Sequence, residues 1–149
     1  MAAFVINEWL WADLSGGNGP QAQREAFIVI EKLAASDHQM LVIEGSAFDQ
    51  KAWDLCKSTN PMIVQRMAGA YVASLRQNSD RCVILKPEAA PAIPNELASA
   101  TNQDDHYLIQ AQLSVQGAIL VTTDGDLCHA VKQAGLPCLS RQEFLATYL

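Results

Sequence analysis

The sequence predicts a three-layer α/β sandwich built around a parallel sheet of about five strands. Three observations lead there. Short apolar runs alternate with stretches of helical period along the whole chain. Those runs are continuous rather than alternating, as strands covered on both faces must be. The alternation is broken by no linker, repeat or low-complexity segment, so residues 1–149 read as one domain, and with half the residues apolar there is material for a sizeable core.

Each element has its own signal. Phe4-Val5-Ile6 reads as the first strand, followed by Trp9-Leu10-Trp11 and a glycine-rich loop, Ser15 to Gly19. Pro20 stands where a helix begins, and Ala26, Phe27, Ile30, Leu33 and Ala34 recur at helical spacing. Met40 to Ile43 is the second strand. A helix from Ser46 carries Phe48, Ala52 and Leu55 on one face, and Asn60-Pro61 opens another with Ile63, Met67, Ala70, Tyr71 and Leu75 as its stripe. Cys82 to Leu85 is the third strand. Residues 86–103 hold Pro87, Pro91 and Pro94 and predict a long connection with one short helix near Glu96. Asp104-Asp105 opens a helix packed through Leu108, Ala111, Gln112 and Val115. Ala118 to Thr122 is the fourth strand, a helix follows from Asp126, and Pro137 to Leu139 is a short fifth strand. Ser140-x-x-Glu143 is a capping box that starts the last helix.

Composition narrows the function classes. No apolar run approaches the ~20 residues of a membrane span, which argues against a membrane partner. The opening lacks a basic region and meets Glu8 at once, so the sequence predicts no secretory leader and a cytoplasmic protein. Cys56, Cys82, Cys128 and Cys138 form no CxxC pair, and two fall in apolar runs, so reduced, buried thiols are expected. A formal charge of −6 excludes a polybasic surface that coats nucleic acid, though not a locally basic rim.

In an open parallel sheet, ligands sit beyond the carboxyl ends of the strands, where strand order reverses. Asn7 and Glu8 follow the first strand, Glu44 the second, and Thr123, Asp124 and Asp126 the fourth, while Asp104 and Asp105 open the helix leading into the fourth. Acidic groups therefore collect at one edge, and no lysine or arginine accompanies them. Such oxygen donors suit Mg²⁺ or Mn²⁺, and a metal there lowers the pKa of bound water and braces an in-line phosphodiester displacement. Each acid also has a plainer use. Asp104 or Asp105 can cap one helix and Asp124 the next, with Asp126 favouring its dipole. Asp49 and Asp54, on the helix after the second strand, compete with Glu44 for the same role.

With those residues in view, the chain resembles PIN-domain ribonucleases. Ile119-Leu120-Val121-Thr122-Thr123-Asp124-Gly125-Asp126-Leu127 is similar to the family's fourth strand and the turn after it. Asp105-His106-Tyr107-Leu108-Ile109-Gln110-Ala111 is similar to its acidic helix start, and Gly135-Leu136-Pro137-Cys138 to Phe144-Leu145 runs as in that family. The resemblance spans residues 104–145 and is looser before them. It implies a Mg²⁺- or Mn²⁺-dependent endonuclease of single-stranded RNA, often a toxin with an antitoxin-type protein partner, and a homodimer. On that pattern Asp105 and Asp124 are the essential metal-binding acids, Asp126 supports them, and Glu44 or Asp49 is the acid of the second helix.

One departure stands out. The family ends its first strand with aspartate, and here Asn7 stands there. An amide oxygen ligates a cation but brings one negative charge fewer. Glu8 is a substitute whose side chain leaves an extended strand on the opposite face, and Asp13 is another. The competing reading is a degenerate PIN-like module that binds RNA or a protein without cutting.

Other motifs carry less. Ser15 to Pro20 lacks the Lys-Ser/Thr end of a phosphate loop, and Pro20 lacks an N–H, which favours a surface loop. Lys86-Pro87 resembles the lysine of response-regulator receivers but follows the wrong strand. Arg66, Arg76 and Arg81 are the candidate rim donors to a phosphate backbone, and Trp9, Trp11 and Trp53 are expected to pack rather than stack on bases.

Overall fold

The first strand in sequence is the central strand of the sheet. The computed structural model describes all residues 1–149 and contains five strands, β1 (Ala3–Ile6), β2 (Gln39–Ile43), β3 (Cys82–Leu85), β4 (Ile119–Thr122) and β5 (Cys138–Ser140). Their order is β3-β2-β1-β4-β5, and every neighbouring pair is parallel. Phe4 lies opposite Met40 on one side and Ile119 on the other. This is the α/β sandwich that the continuous apolar runs predict, with strand limits displaced by a residue or so.

Eight helices clothe the sheet: α1 (Trp9–Leu14), α2 (Pro20–Ala35), α3 (Ala47–Leu55), α4 (Met62–Tyr71), α5 (Asn95–Ala100), α6 (His106–Leu113), α7 (Gly125–Gln133) and α8 (Arg141–Tyr148). Side chains alternate along each strand, so each strand feeds two cores. Phe4, Ile6, Met40, Val42 and Val121 join Trp11, Ile30, Phe48, Tyr71 and Phe144 of α1–α4 and α8. Val5, Leu41, Ile43 and Leu120 join Leu97, Leu108, Leu127 and Val131 of α5–α7. Trp9 and Trp11 are buried, whereas Trp53 is 41% exposed. No helix is long and apolar enough to cross a membrane.

Local chemistry sets the helix ends. Ser46 caps α3 through Asp49 N–H, and Ser140 and Glu143 form the capping box of α8. Gly45 turns the chain from β2 into α3 at φ 75°, a backbone state that a side chain disfavours. Beyond Tyr71 the helix widens into a π-turn at Val72–Arg76, which ends by delivering Arg76 to the α3 carboxylate Asp49.

One expectation is corrected here. Cys128 and Cys138 form a disulfide, and only Cys56 and Cys82 are free thiols. The missing CxxC spacing was a poor guide, because α7 packs on β5 and brings the two Cα atoms to 5.7 Å across a separation of ten residues. Burial pushes the Cys82 thiol up to about 12 and raises that of Cys56. Reducing the disulfide is expected to lower unfolding free energy by up to about 3 kcal/mol, because so short a loop restrains the unfolded chain modestly. Urea unfolding with and without reductant checks this, and an unchanged midpoint after both thiols become titratable would contradict it.

Candidate metal and phosphodiester site

Strand order reverses between β1 and β4, so the crevice beyond their carboxyl ends is the natural ligand position. Two residues close it. Asn7 N–H donates to Val121 O at 3.0 Å, and its side-chain Nδ2 donates to Thr122 Oγ1 at 3.0 Å. Thr122 is buried, and the same Oγ1 accepts the N–H of Asp124 at 3.1 Å. One threonine hydroxyl thus joins the end of the first strand to the first acid after the fourth.

Asp124 caps α7. Its Oδ1 accepts Asp126 N–H at 3.0 Å and Leu127 N–H at 3.2 Å. The capping use predicted for it is therefore real, and it occupies one oxygen only. Asp105 differs: it precedes α6 but its side chain makes no capping bond. Asp105, Asp124 and Asp126, with Thr101 and Asn102, line a common cavity of about 220 Å³. Burial first, and then the charges of Asp124, Asp104 and Glu8, hold the Asp105 carboxyl above its ordinary range. Glu8 itself accepts a hydrogen bond from Tyr107 Oη at 3.3 Å, and its N–H donates to Asn7 Oδ1 at 2.7 Å.

The remaining candidates are committed elsewhere. Glu44 pairs with Lys86 at 2.8 Å, so a cation does accompany the acidic edge, contrary to the reading of the strand ends alone. Asp49 is buried, with Oδ1 2.7 Å from Arg76 Nε and Oδ2 accepting Gly45 N–H at 2.9 Å. Both acids thus stand outside the cavity of Asp105 and Asp124. Asp104 is exposed at the turn before α6, and Thr123 is exposed and lines a different cavity from that of Asp105 and Asp124. Asp13 is buried against Arg141 at 2.7 Å. Arg76 is spent on Asp49 and cannot serve as a rim donor, Arg81 precedes β3 at the amino edge, and Arg66 is exposed on α4. Sequence reasoning missed Arg141, which directly follows β5 at the carboxyl edge. Its position after a strand was the available signal.

No three His, Cys, Asp or Glu side chains converge as a ready-made metal cage. The donor set nevertheless suits a hard cation that keeps much of its water, since Mg²⁺ is commonly held by one or two carboxylates. Asp105 and Asp124 would supply those, and Asp126 lines the same cavity.

The raised carboxyl of Asp105 fixes a sign. An acid whose folded pKa exceeds its unfolded value favours folding at low pH, and that contribution is lost as pH rises through the folded value. Asp105→Asn is therefore expected to stabilise the metal-free protein at neutral pH, with the gain shrinking toward pH 4. Urea midpoints of both proteins from pH 4 to 7.5 check it, and a gain independent of pH would refute the electrostatic origin.

Compared with known proteins, the chain matches no family model and no curated relative.

Proposed function

We propose that the chain is a PIN-like, Mg²⁺- or Mn²⁺-dependent endonuclease of single-stranded RNA. The observation that carries this is Asp105, a carboxylate with no capping bond, facing the same cavity as Asp124 at the topological switch point. A cation held there supplies an activated water and neutralises charge on the phosphodiester. Asp105 and Asp124 hold it, and Asp126 supports it in the first turn of α7. Asp124 needs no rearrangement to do so, because the α7 N–H groups fix one oxygen and leave the other free. Tyr107 and Asn7 anchor Glu8 at the rim, so the acid nearest the departing β1 is restrained too.

A second reading rests on Asn7. Its amide is already satisfied, by Glu8 N–H on the oxygen and by Thr122 on the nitrogen, and it brings no charge. That favours a module that binds RNA or a protein without hydrolysing it. Incubating fluorescently labelled single-stranded RNA with the protein separates the readings. Cleavage in Mn²⁺ that stops in chelator supports the nuclease, whereas retention of intact RNA on the protein supports the binding module.

A further inference from the structure

A second cavity, of about 600 Å³, lies on the other side of the β4 end and is lined by Trp9, Asp13, Asn18, Gln21, Glu25, Thr123 and Arg141, with two alanines completing the wall. Consecutive residues line this cavity and the acidic one, Thr123 the former and Asp124 the latter. Its volume suits a small organic ligand. Its ionised groups are two carboxylates and one guanidinium, so the balance is negative and a phosphate is a poor occupant. A neutral group rich in N–H donors is a good one.

The arrangement of charges is more specific than the volume. Asp13 is buried and holds Arg141 Nε at 2.7 Å, while Asn18 Nδ2 donates to Asp13 Oδ1 at 2.7 Å. The Arg141 guanidinium also lies 5.5 Å over the Trp9 ring, so its plane is fixed from two sides. Arg141 Nη2 donates to Glu25 Oε1 at 3.3 Å, a long bond to a side chain that is 35% exposed, and Glu25 Oε2 has no partner. A guanidinium donor and a carboxylate acceptor are therefore presented side by side, held by a buried base. The complementary edge reads acceptor, donor, donor: guanine O6, N1–H and the exocyclic amino group. Uracil offers acceptor, donor, acceptor, and its last oxygen would face the carboxylate. Adenine and cytosine can turn a ring nitrogen to the guanidinium and one amino hydrogen to the carboxylate, but they give the carboxylate one N–H where guanine gives it two.

We propose that this cavity is a nucleobase subsite selective for guanine, with Glu25 and Arg141 as the specificity-determining residues. The choice of a nucleobase rests on the ribonuclease reading, because the adjacent residues Thr123 and Asp124 line this cavity and the acidic one.

The test uses free nucleosides and metal-free protein, so it does not depend on the acidic site. The indole N–H signal of Trp9, assigned with Trp9→Phe, is followed by NMR during titration with guanosine, adenosine, cytidine and uridine. Guanosine is expected to shift it at a concentration at least about tenfold below the other three, and Glu25→Gln to remove that preference, as loss of a paired base contact should. Lys32→Ala, an exposed change on α2 outside the cavity, is a second variant expected to keep the preference if Glu25 reads the base. Thermal melts confirm that both variants fold. Equal shifts from all four nucleosides, no shift from any, or an unchanged preference in Glu25→Gln would overturn the proposal. Guanosine binding without RNA cleavage would leave the subsite standing and sink the nuclease reading, and Mn²⁺-dependent cleavage without guanosine binding would do the reverse.

Discussion

Asp124→Asn is expected to abolish Mn²⁺-dependent stabilisation of the protein and to slow RNA cleavage by at least about a hundredfold, since a catalytic cation is worth several kcal/mol at the transition state. The wild type should gain about 2.7 kcal/mol in Mn²⁺ at a hundred times its dissociation constant, or roughly 5–10 °C in melting temperature for a domain this size. The substitution is informative because it spares the fold. Asparagine caps a helix about as well as aspartate, so the bonds to Asp126 and Leu127 N–H can persist. Removing the charge also relieves Asp105, and the metal-free variant should be as stable as the wild type or more so. Differential scanning calorimetry of both proteins, with and without Mn²⁺, reads the stability effects, and cleavage of labelled single-stranded RNA reads the rate. A wild type that Mn²⁺ leaves unmoved would sink the metal reading and favour the non-catalytic module.

Arg76→Ala is expected to cost about 3–5 kcal/mol, the largest loss of stability from any single ionic contact here. Its partner Asp49 has only 3% of its side chain exposed, and Arg76 only 13%. Truncating the arginine leaves a buried carboxylate with one N–H bond, from Gly45, and no counter-charge. The double variant Asp49→Ala/Arg76→Ala should recover part of the loss, because no charge is then stranded. Melts of the two single variants and the double variant form the required cycle. Exposed Lys57→Ala, which breaks a pair with Asp54, is the control and should change little. If Arg76→Ala behaves like that control, the Asp49 site is wetter than its burial implies.

Legibility in the sequence followed the range of the interaction. The strands were readable because Val5, Leu41 and Leu120 each sit in a run that needs no distant partner to be seen as apolar. The Ser140 capping box was readable for the same reason, as both members lie within four residues. Asp105 and Asp124 were readable as acids beside a helix start and a strand end. Their difference was not: a cap that forms and a cap that fails look alike in sequence. Long-range pairings stayed hidden. Asp13 meets Arg141 across 128 positions and Asp49 meets Arg76 across 27, and only strand order with a π-turn brings them together. The disulfide belongs to this class, since its spacing has meaning only once α7 lies on β5.

The central place of β1 has a consequence for how the molecule comes into being. On a ribosome this strand emerges before both of its neighbours, and one of them, β4, is made more than a hundred residues later. Chains grow at about 5–20 residues per second, so one edge of β1 waits seconds for its partner. Until then the β1–β2–β3 half can form with α1–α4, while Val5, Leu41 and Ile43 lack their cluster partners Leu120, Leu127 and Val131 of β4 and α7. Asn7 finds Thr122 across 115 positions only when β4 docks. The last pairing to close in the centre of the sheet is therefore the one that assembles the acidic crevice, and a nascent chain halted before residue 119 lacks β4, Thr122 and Asp124 and so has no crevice to close.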